Sequence, residues 1–128
     1  MSCLFNSLTT LLRDCIPDNV DMRTYICDYI EQNKHTLLKN DTIHTWIKNT
    51  CIDRYNEDDI DDKMIDMYVN DMRQPSEYGG APEIAIASHI FNVRIVVKYG
   101  NGQRIEFDTS PNTNRTIELF WTGNHYYV

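Results

Sequence analysis

The stretch PEIAIASHIFNVRIVVKY, residues 82–99, changes period in its middle. Its first half places Ile84, Ala85, Ala87, Ser88 and Phe91 together at helical spacing, and Pro82 suits a first helical turn. The small Ala and Ser side chains let such a helix pack closely. From Val93 to Tyr99 the run is β-branched and almost continuously apolar, the pattern of a strand buried on both faces. Residues upstream of this switch read as helices and residues downstream as short strands. That segregation predicts an α+β chain, one domain over residues 1–128, with helices packed on a small, mainly antiparallel sheet.

Working towards the N-terminus, Gln74 to Gly80 breaks all periodicity, and its Pro and paired Gly mark a loop. Before it, a helix over roughly Asp58 to Met72 would turn Ile60, Met64, Met67 and Tyr68 to one side. A shorter helix from about Asp41 has Ile43, Trp46 and Ile47 inward. Another covers about Asn19 to Asn33, with Met22, Tyr25, Ile26, Tyr29 and Ile30 as its stripe and Asp18 or Asn19 as cap. The first helix starts at or just after Cys3, where Leu4, Phe5, Leu8, Leu11 and Leu12 line one face, and Pro17 lies beyond its end.

Working towards the C-terminus, Gly100-Asn101-Gly102 is a tight-turn signal before a strand over Arg104 to Phe107. The polar loop from Asp108 to Arg115 leads to a strand over Thr116 to Trp121. Thr122-Gly123-Asn124 then turns the chain into a closing strand, His125 to Val128. Strands joined by short turns are expected to pair antiparallel.

With 12 Lys+Arg against 19 Asp+Glu, the net charge is −7. Nucleic-acid binding rests on neutralising phosphates with basic side chains, so nucleic acid is not expected as a partner. An anionic membrane surface is disfavoured for the same reason, and no stretch is apolar enough to span a bilayer. The acidic run Glu57, Asp58, Asp59, Asp61 and Asp62 reads as a solvated helix face. Cys3, Cys15, Cys27 and Cys51 form no Cys-x-x-Cys pair and have no zinc spacing with histidine, so no metal and no cofactor are expected. No signal peptide is visible. Free thiols imply a reducing compartment, which places the protein in the cytoplasm.

Cys3 is the first candidate for chemistry. A helix N-terminus favours the thiolate through its free N–H groups and dipole, and the same N–H groups could hold an oxyanion. Four histidines could serve as base. His35 sits in a polar stretch and reads as solvated. His44 is one residue off the apolar face of its helix, and His89 reads as a packed or capping residue. His125 differs, because it opens a strand directly after a Gly-Asn turn and could be held rigidly against a helix N-terminus. A cysteine and a histidine far apart in sequence can meet as nucleophile and base. Pattern alone leaves an idle thiol as the alternative reading of Cys3.

Three blocks resemble the ovarian-tumour (OTU) family of deubiquitinases. Cys3-Leu4-Phe5-Asn6-Ser7-Leu8 resembles the family's nucleophile motif. The run from Tyr78-Gly79-Gly80 through Glu83 to Val97 resembles its aromatic-glycine loop, Glu-bearing helix and following strand. Gly123-Asn124-His125-Tyr126-Tyr127-Val128 is similar to its closing His-Tyr strand. The resemblance spans essentially the whole chain and implies a papain-like fold of minimal, viral type, which would act in the host cell cytoplasm. It implies a thiol protease that hydrolyses the isopeptide bond after the C-terminal glycine of ubiquitin, with Cys3 as nucleophile and His125 as base. The backbone N–H groups of Ser2 and Cys3 become oxyanion-hole candidates. Tyr78, Gly79, Gly80, Trp121 and Asn124 would line the channel for ubiquitin's tail. The implied partners are ubiquitin or polyubiquitin chains, or else a ubiquitin-like modifier. A catalytically silent module that binds ubiquitin is the alternative. Two departures stand out: the acid often found three residues before the nucleophile has no counterpart, and Tyr127 occupies the position where other members place Asp or Asn.

Overall fold

The computed structural model describes residues 3–55 and 62–128, without the side chains of residues 51–55. Among the described residues, five α-helices and a four-stranded sheet form the main elements. In chain order the helices are α1 (Cys3–Leu11), α2 (Met22–Gln32), α3 (Ile43–Tyr55), α4 (Asp62–Met72) and α5 (Ala81–Phe91). The sheet comprises β3 (Val93–Tyr99), β4 (Arg104–Phe107), β5 (Arg115–Trp121) and β6 (Tyr126–Tyr127), ordered β4-β3-β5-β6. α5 lies on β3 and β4, and α1 lies beside β6. A two-residue hairpin, β1 (Leu37–Leu38) with β2 (Asp41–Thr42), precedes α3.

The period switch lies where the sequence places it. Asn92 closes α5 in the left-handed conformation, φ 56°, with its N–H on Ser88 O, and β3 begins one residue later. Ile84, Ala85, Ile86 and Ala87 are buried, as are Val93, Ile95, Val96 and Val97. α1 buries Leu4, Leu8 and Leu12 fully, with Phe5 beside them, so three leucines at four-residue spacing fix its face.

Several expectations need correction. α2 begins at Met22, later than expected, because Asp21 rather than Asp18 or Asn19 caps it, accepting the Thr24 N–H at 3.1 Å. The helix from α3 is longer than its sequence suggests, running to Tyr55, while Asp41 and Thr42 belong to the hairpin. Ile43 and Ile47 are buried as expected. The expected start of the next helix, with Ile60, falls outside the described residues. The buried face of α4 is Ile65, Tyr68, Val69 and Met72, and Met67 is exposed. Tyr68 is inward as expected, and the rest of that face is Ile65, Val69 and Met72 at helical spacing.

The sheet is mixed. β3 pairs antiparallel with β4, and β5 with β6, as short turns require. β4 and β5 are not neighbours, however: β5 lies on the other side of β3 and pairs with it in parallel over seven residues, Val93↔Arg115 to Tyr99↔Trp121. The polar loop after β4 carries the chain beneath the α5–β3 junction. Ser88 Oγ donates to Val93 O (2.7 Å) and Phe107 O (3.1 Å) and accepts the Thr109 N–H at 3.0 Å. Thr109 Oγ1 donates to Ala85 O, Ser110 Oγ to Asn92 Oδ1, and the Asn114 N–H to Asn92 O.

Ser88 is fully buried, so its loss would take one hydroxyl partner from the Val93 and Phe107 carbonyls and from the Thr109 amide. Ser88→Ala is expected to lower unfolding free energy by about 1–3 kcal/mol, read by urea denaturation. A change within about 0.5 kcal/mol would mean the crossover does not depend on this hydroxyl.

Candidate active site

Cys3 is the first residue of α1 and is 8% exposed. β6 lies against this end of the helix, and the Tyr126 N–H donates to Cys3 Sγ at 3.4 Å. The sulfur therefore sits at the open end of α1 with a backbone donor facing it. Two hollows of about 330 Å³ each share Cys3 and Tyr126. His125 lines one of them with Asn6, Ser7 and Tyr127. Tyr78, Gly79, Trp121 and Asn124 line the other. Cys3 thus stands where the two hollows meet, with His125 on one side and the glycine loop on the other.

β6 is only two residues long, so other contacts hold it. Phe120↔Tyr127 and Trp121↔Tyr126 pair across the sheet; the first pair stacks with ring centroids 5.2 Å apart, and the second meets at a tilt with centroids 4.4 Å apart. Aromatic pairs of this kind add roughly 0.5–1.5 kcal/mol beyond their buried area. The intervening turn is closed by Thr122 N–H to His125 O (3.0 Å) and has Gly123 at φ 111°. His125 itself is exposed. Among the described residues, the hydrogen bond on Cys3 Sγ comes from the Tyr126 amide and not from the His125 imidazole, and no side chain bonds that imidazole. Tyr127 is 45% exposed, stacks on Phe120, and cannot play the part of an orienting carboxylate.

The two glycines have different duties. A Cβ on Gly79 would lie 2.7 Å from Leu4 Cδ2 and 3.0 Å from Phe5 Cε2, so the loop touches α1 directly. A Cβ on Gly80 would meet nothing within 4 Å. Gly80 is not part of the hollow beside Cys3; it is the N-cap of α5, and its N–H donates to Glu83 Oε1 at 2.7 Å. Glu83 is fully buried and also accepts the Tyr68 hydroxyl at 2.6 Å. Glu83 therefore ties the glycine loop to α4 and α5 beneath the site, a role its place in the sequence did not disclose. Ser2, an expected oxyanion donor, lies outside the described residues. The Cys3 amide opens α1, and the first N–H groups of a helix lack intrahelical partners.

The other histidines stand apart from Cys3. His35 is exposed, paired with Asp62 at 3.0 Å and stacked on His44. His89 is half-buried, with Nδ1 3.2 Å from Thr109 O, so that nitrogen donates. Among the described residues, no group of His, Cys, Asp and Glu has an arrangement that could hold a metal ion.

The OTU-like cysteine protease family profile matches residues 2–126 of the sequence. The chain belongs to that family. A comparison with curated proteins finds no match. Among solved structures, the OTU domain of OTUD1 superposes with a TM-score of 0.54 at 16% identity, over 97% of this chain and 75% of that one. At such identity the likeness shows the fold, and the fold is that of an OTU domain. The family makes this a deubiquitinase-type cysteine protease domain by descent.

Two expectations follow from the site's packing. Gly79→Ala should cost about 1–3 kcal/mol of stability, because Leu4 or Phe5 must move. Gly80→Ala should stay within about 0.5 kcal/mol, and equal costs in thermal melts would refute the assigned contacts. Alkaline titration tests the interior beside the site. Burial pushes the Cys27 thiol up from 9.0 to about 12 and the Tyr126 phenol up from 10.0 to about 12. Both groups hold their protons more tightly folded than unfolded. Stability should therefore be level below pH 9 and fall as pH rises towards 12; a level profile there would contradict their burial.

Proposed function

We propose that the chain acts as one catalytic domain, a cysteine isopeptidase that hydrolyses the bond after the C-terminal glycine of ubiquitin. The observation that carries this reading is the meeting of Cys3, at the head of α1, with the Tyr126 amide and the His125 hollow. The Cys3 thiolate attacks the carbonyl carbon of that glycine, and the carbonyl oxygen takes up the negative charge. The Cys3 amide, and that of Ser2, are the donors we assign to it. His125 first takes the thiol proton and then gives it to the leaving lysine amine, forming a thioester. Water, deprotonated by the same imidazole, cleaves the thioester and restores the thiol.

The hollow beside Tyr78, Gly79, Trp121 and Asn124 would receive ubiquitin's tail. Of the residues that line it, Gly79 alone carries no side chain, which suits a tail ending in two glycines. The hollow beside His125, Asn6 and Ser7 would receive the leaving lysine. The imidazole shares this hollow with the sulfur without bonding it, and hydrogen bonds between nucleophile and base often tighten only when substrate is bound. We place the activity in the cytoplasm, where thiols stay reduced.

A second reading has its own observation. His125 has no orienting side chain among the described residues, and such a partner fixes the tautomer of a catalytic imidazole. That favours a silent module that binds ubiquitin, or a slow enzyme whose better substrate is a ubiquitin-like modifier.

Reaction with ubiquitin bearing a thiol-reactive C-terminal warhead, read by intact mass, separates these readings. The expected result is one adduct that vanishes in Cys3→Ala. Cleavage of a fluorogenic ubiquitin amide should be lost in Cys3→Ala and His125→Ala. No adduct in folded protein that still binds ubiquitin would establish the silent module. An adduct only with another modifier would move the substrate assignment.

A further inference from the structure

Arg23 lies on α2, away from the hollows, yet its side chain is buried, 5% exposed. Nη1 donates to Met72 O at 2.6 Å. Nη2 donates to Glu77 O at 2.8 Å and Pro75 O at 3.4 Å. The guanidinium carbon stands 4.4 Å from the centre of the Phe5 ring. Burying a cation is costly, and packing α2 against its neighbours would need only an apolar side chain. A planar fork of N–H donors suits something else: a group of carbonyls that no helix or strand satisfies. Met72 ends α4, where carbonyls lack intrahelical partners, and Pro75 and Glu77 lie in the loop that follows.

The next residues of that loop are Tyr78 and Gly79, which line the hollow beside Cys3. The Phe5 ring that the guanidinium faces is also the ring that Gly79 touches, with Cε2 3.0 Å and Cζ 3.2 Å from a Cβ there. One side chain therefore grips both walls of the hollow: the first turn of α1, which carries Cys3, and the segment that leads to the glycine loop.

We propose that Arg23 is a positioning residue that sets the width of the tail channel from behind, holding residues 73–79 against α1. The proposal rests on the isopeptidase reading given above. Arg23 touches neither the sulfur nor the tail, so its loss should loosen the channel and leave the thiol chemistry of the bound complex alone. A merely structural Arg23 would act differently: a partly unfolded population lowers kcat and leaves KM unchanged.

The test uses Arg23→Met, which keeps the length and removes the fork, and Arg23→Lys, which keeps the charge but cannot span three carbonyls. In steady-state cleavage of a fluorogenic ubiquitin amide, KM is expected to rise about tenfold in Arg23→Met, and less in Arg23→Lys, with kcat within about twofold of the parent. In hydrogen exchange on the free proteins, amides of residues 73–80 should exchange faster while those of α1 after Phe5 keep their protection. Should Arg23→Met fail to fold, Arg23→Lys carries both measurements. Parental KM and parental loop exchange in Arg23→Lys would overturn the assignment, as would a fall in kcat alone. If the unmodified protein does not cleave ubiquitin, the isopeptidase reading fails, and loop exchange then decides by itself whether Arg23 holds this segment.

Discussion

The Tyr126 amide and the Cys3 sulfur meet across 123 positions of sequence, and the rest of the fold serves that contact. Closing so long a loop costs conformational entropy, offset only if everything between is packed. α1 supplies one half: Leu4, Leu8 and Leu12 are fully buried, so the helix cannot slide or turn without exposing leucines. The parallel β3–β5 pairing supplies the other half, because it carries the chain to an edge where β6 can lie against the head of α1. An antiparallel meander of the same strands would have left β5 and β6 on the far side of β4. The polar lock of Ser88, Thr109, Asn92 and Ser110 excludes that arrangement by fastening the crossover beneath β3.

Polar groups buried around the site act as fasteners too. Glu83 holds the Gly80 amide and the Tyr68 hydroxyl, and Arg23 holds three carbonyls of the preceding segment. A loop with Pro75 and two glycines is flexible by composition, yet it is gripped from both ends. Such grips are costly to bury and specific in geometry, which places the stiffness of the glycine loop outside the loop itself.

Much of this was legible in the sequence, and the reasons differ by element. α1, α5 and β3 follow directly from side-chain period, because one face or both faces of each are fully buried. Cys3 and His125 stood out by position, one at a helix start and one after a turn, although pattern alone left the thiol's role open. The parallel pairing was hidden, since it depends on where a loop crosses and not on the strands' own residues. The polar side chains of Ser88 and Thr109 that hold the crossover look ordinary in sequence. Arg23 and Glu83 were hidden for the same reason: a charged residue on an amphipathic helix looks solvated until its partners, some 50 and 15 positions away, come into view. The β1–β2 hairpin escaped because its turn puts Lys39 at φ 67°, a conformation more often taken by Gly or Asn.

β6 belongs to the last part of the sheet to be made. On a ribosome α1 emerges before β6, and its leucines can begin to collect a core while the later strands are still being added. Until β5 has docked beside β3, Cys3 lacks the Tyr126 amide as a neighbour. The order of synthesis thus sets the order of assembly: both hollows beside Cys3 are walled partly by Tyr126, so neither can exist until β6 has reached the head of α1.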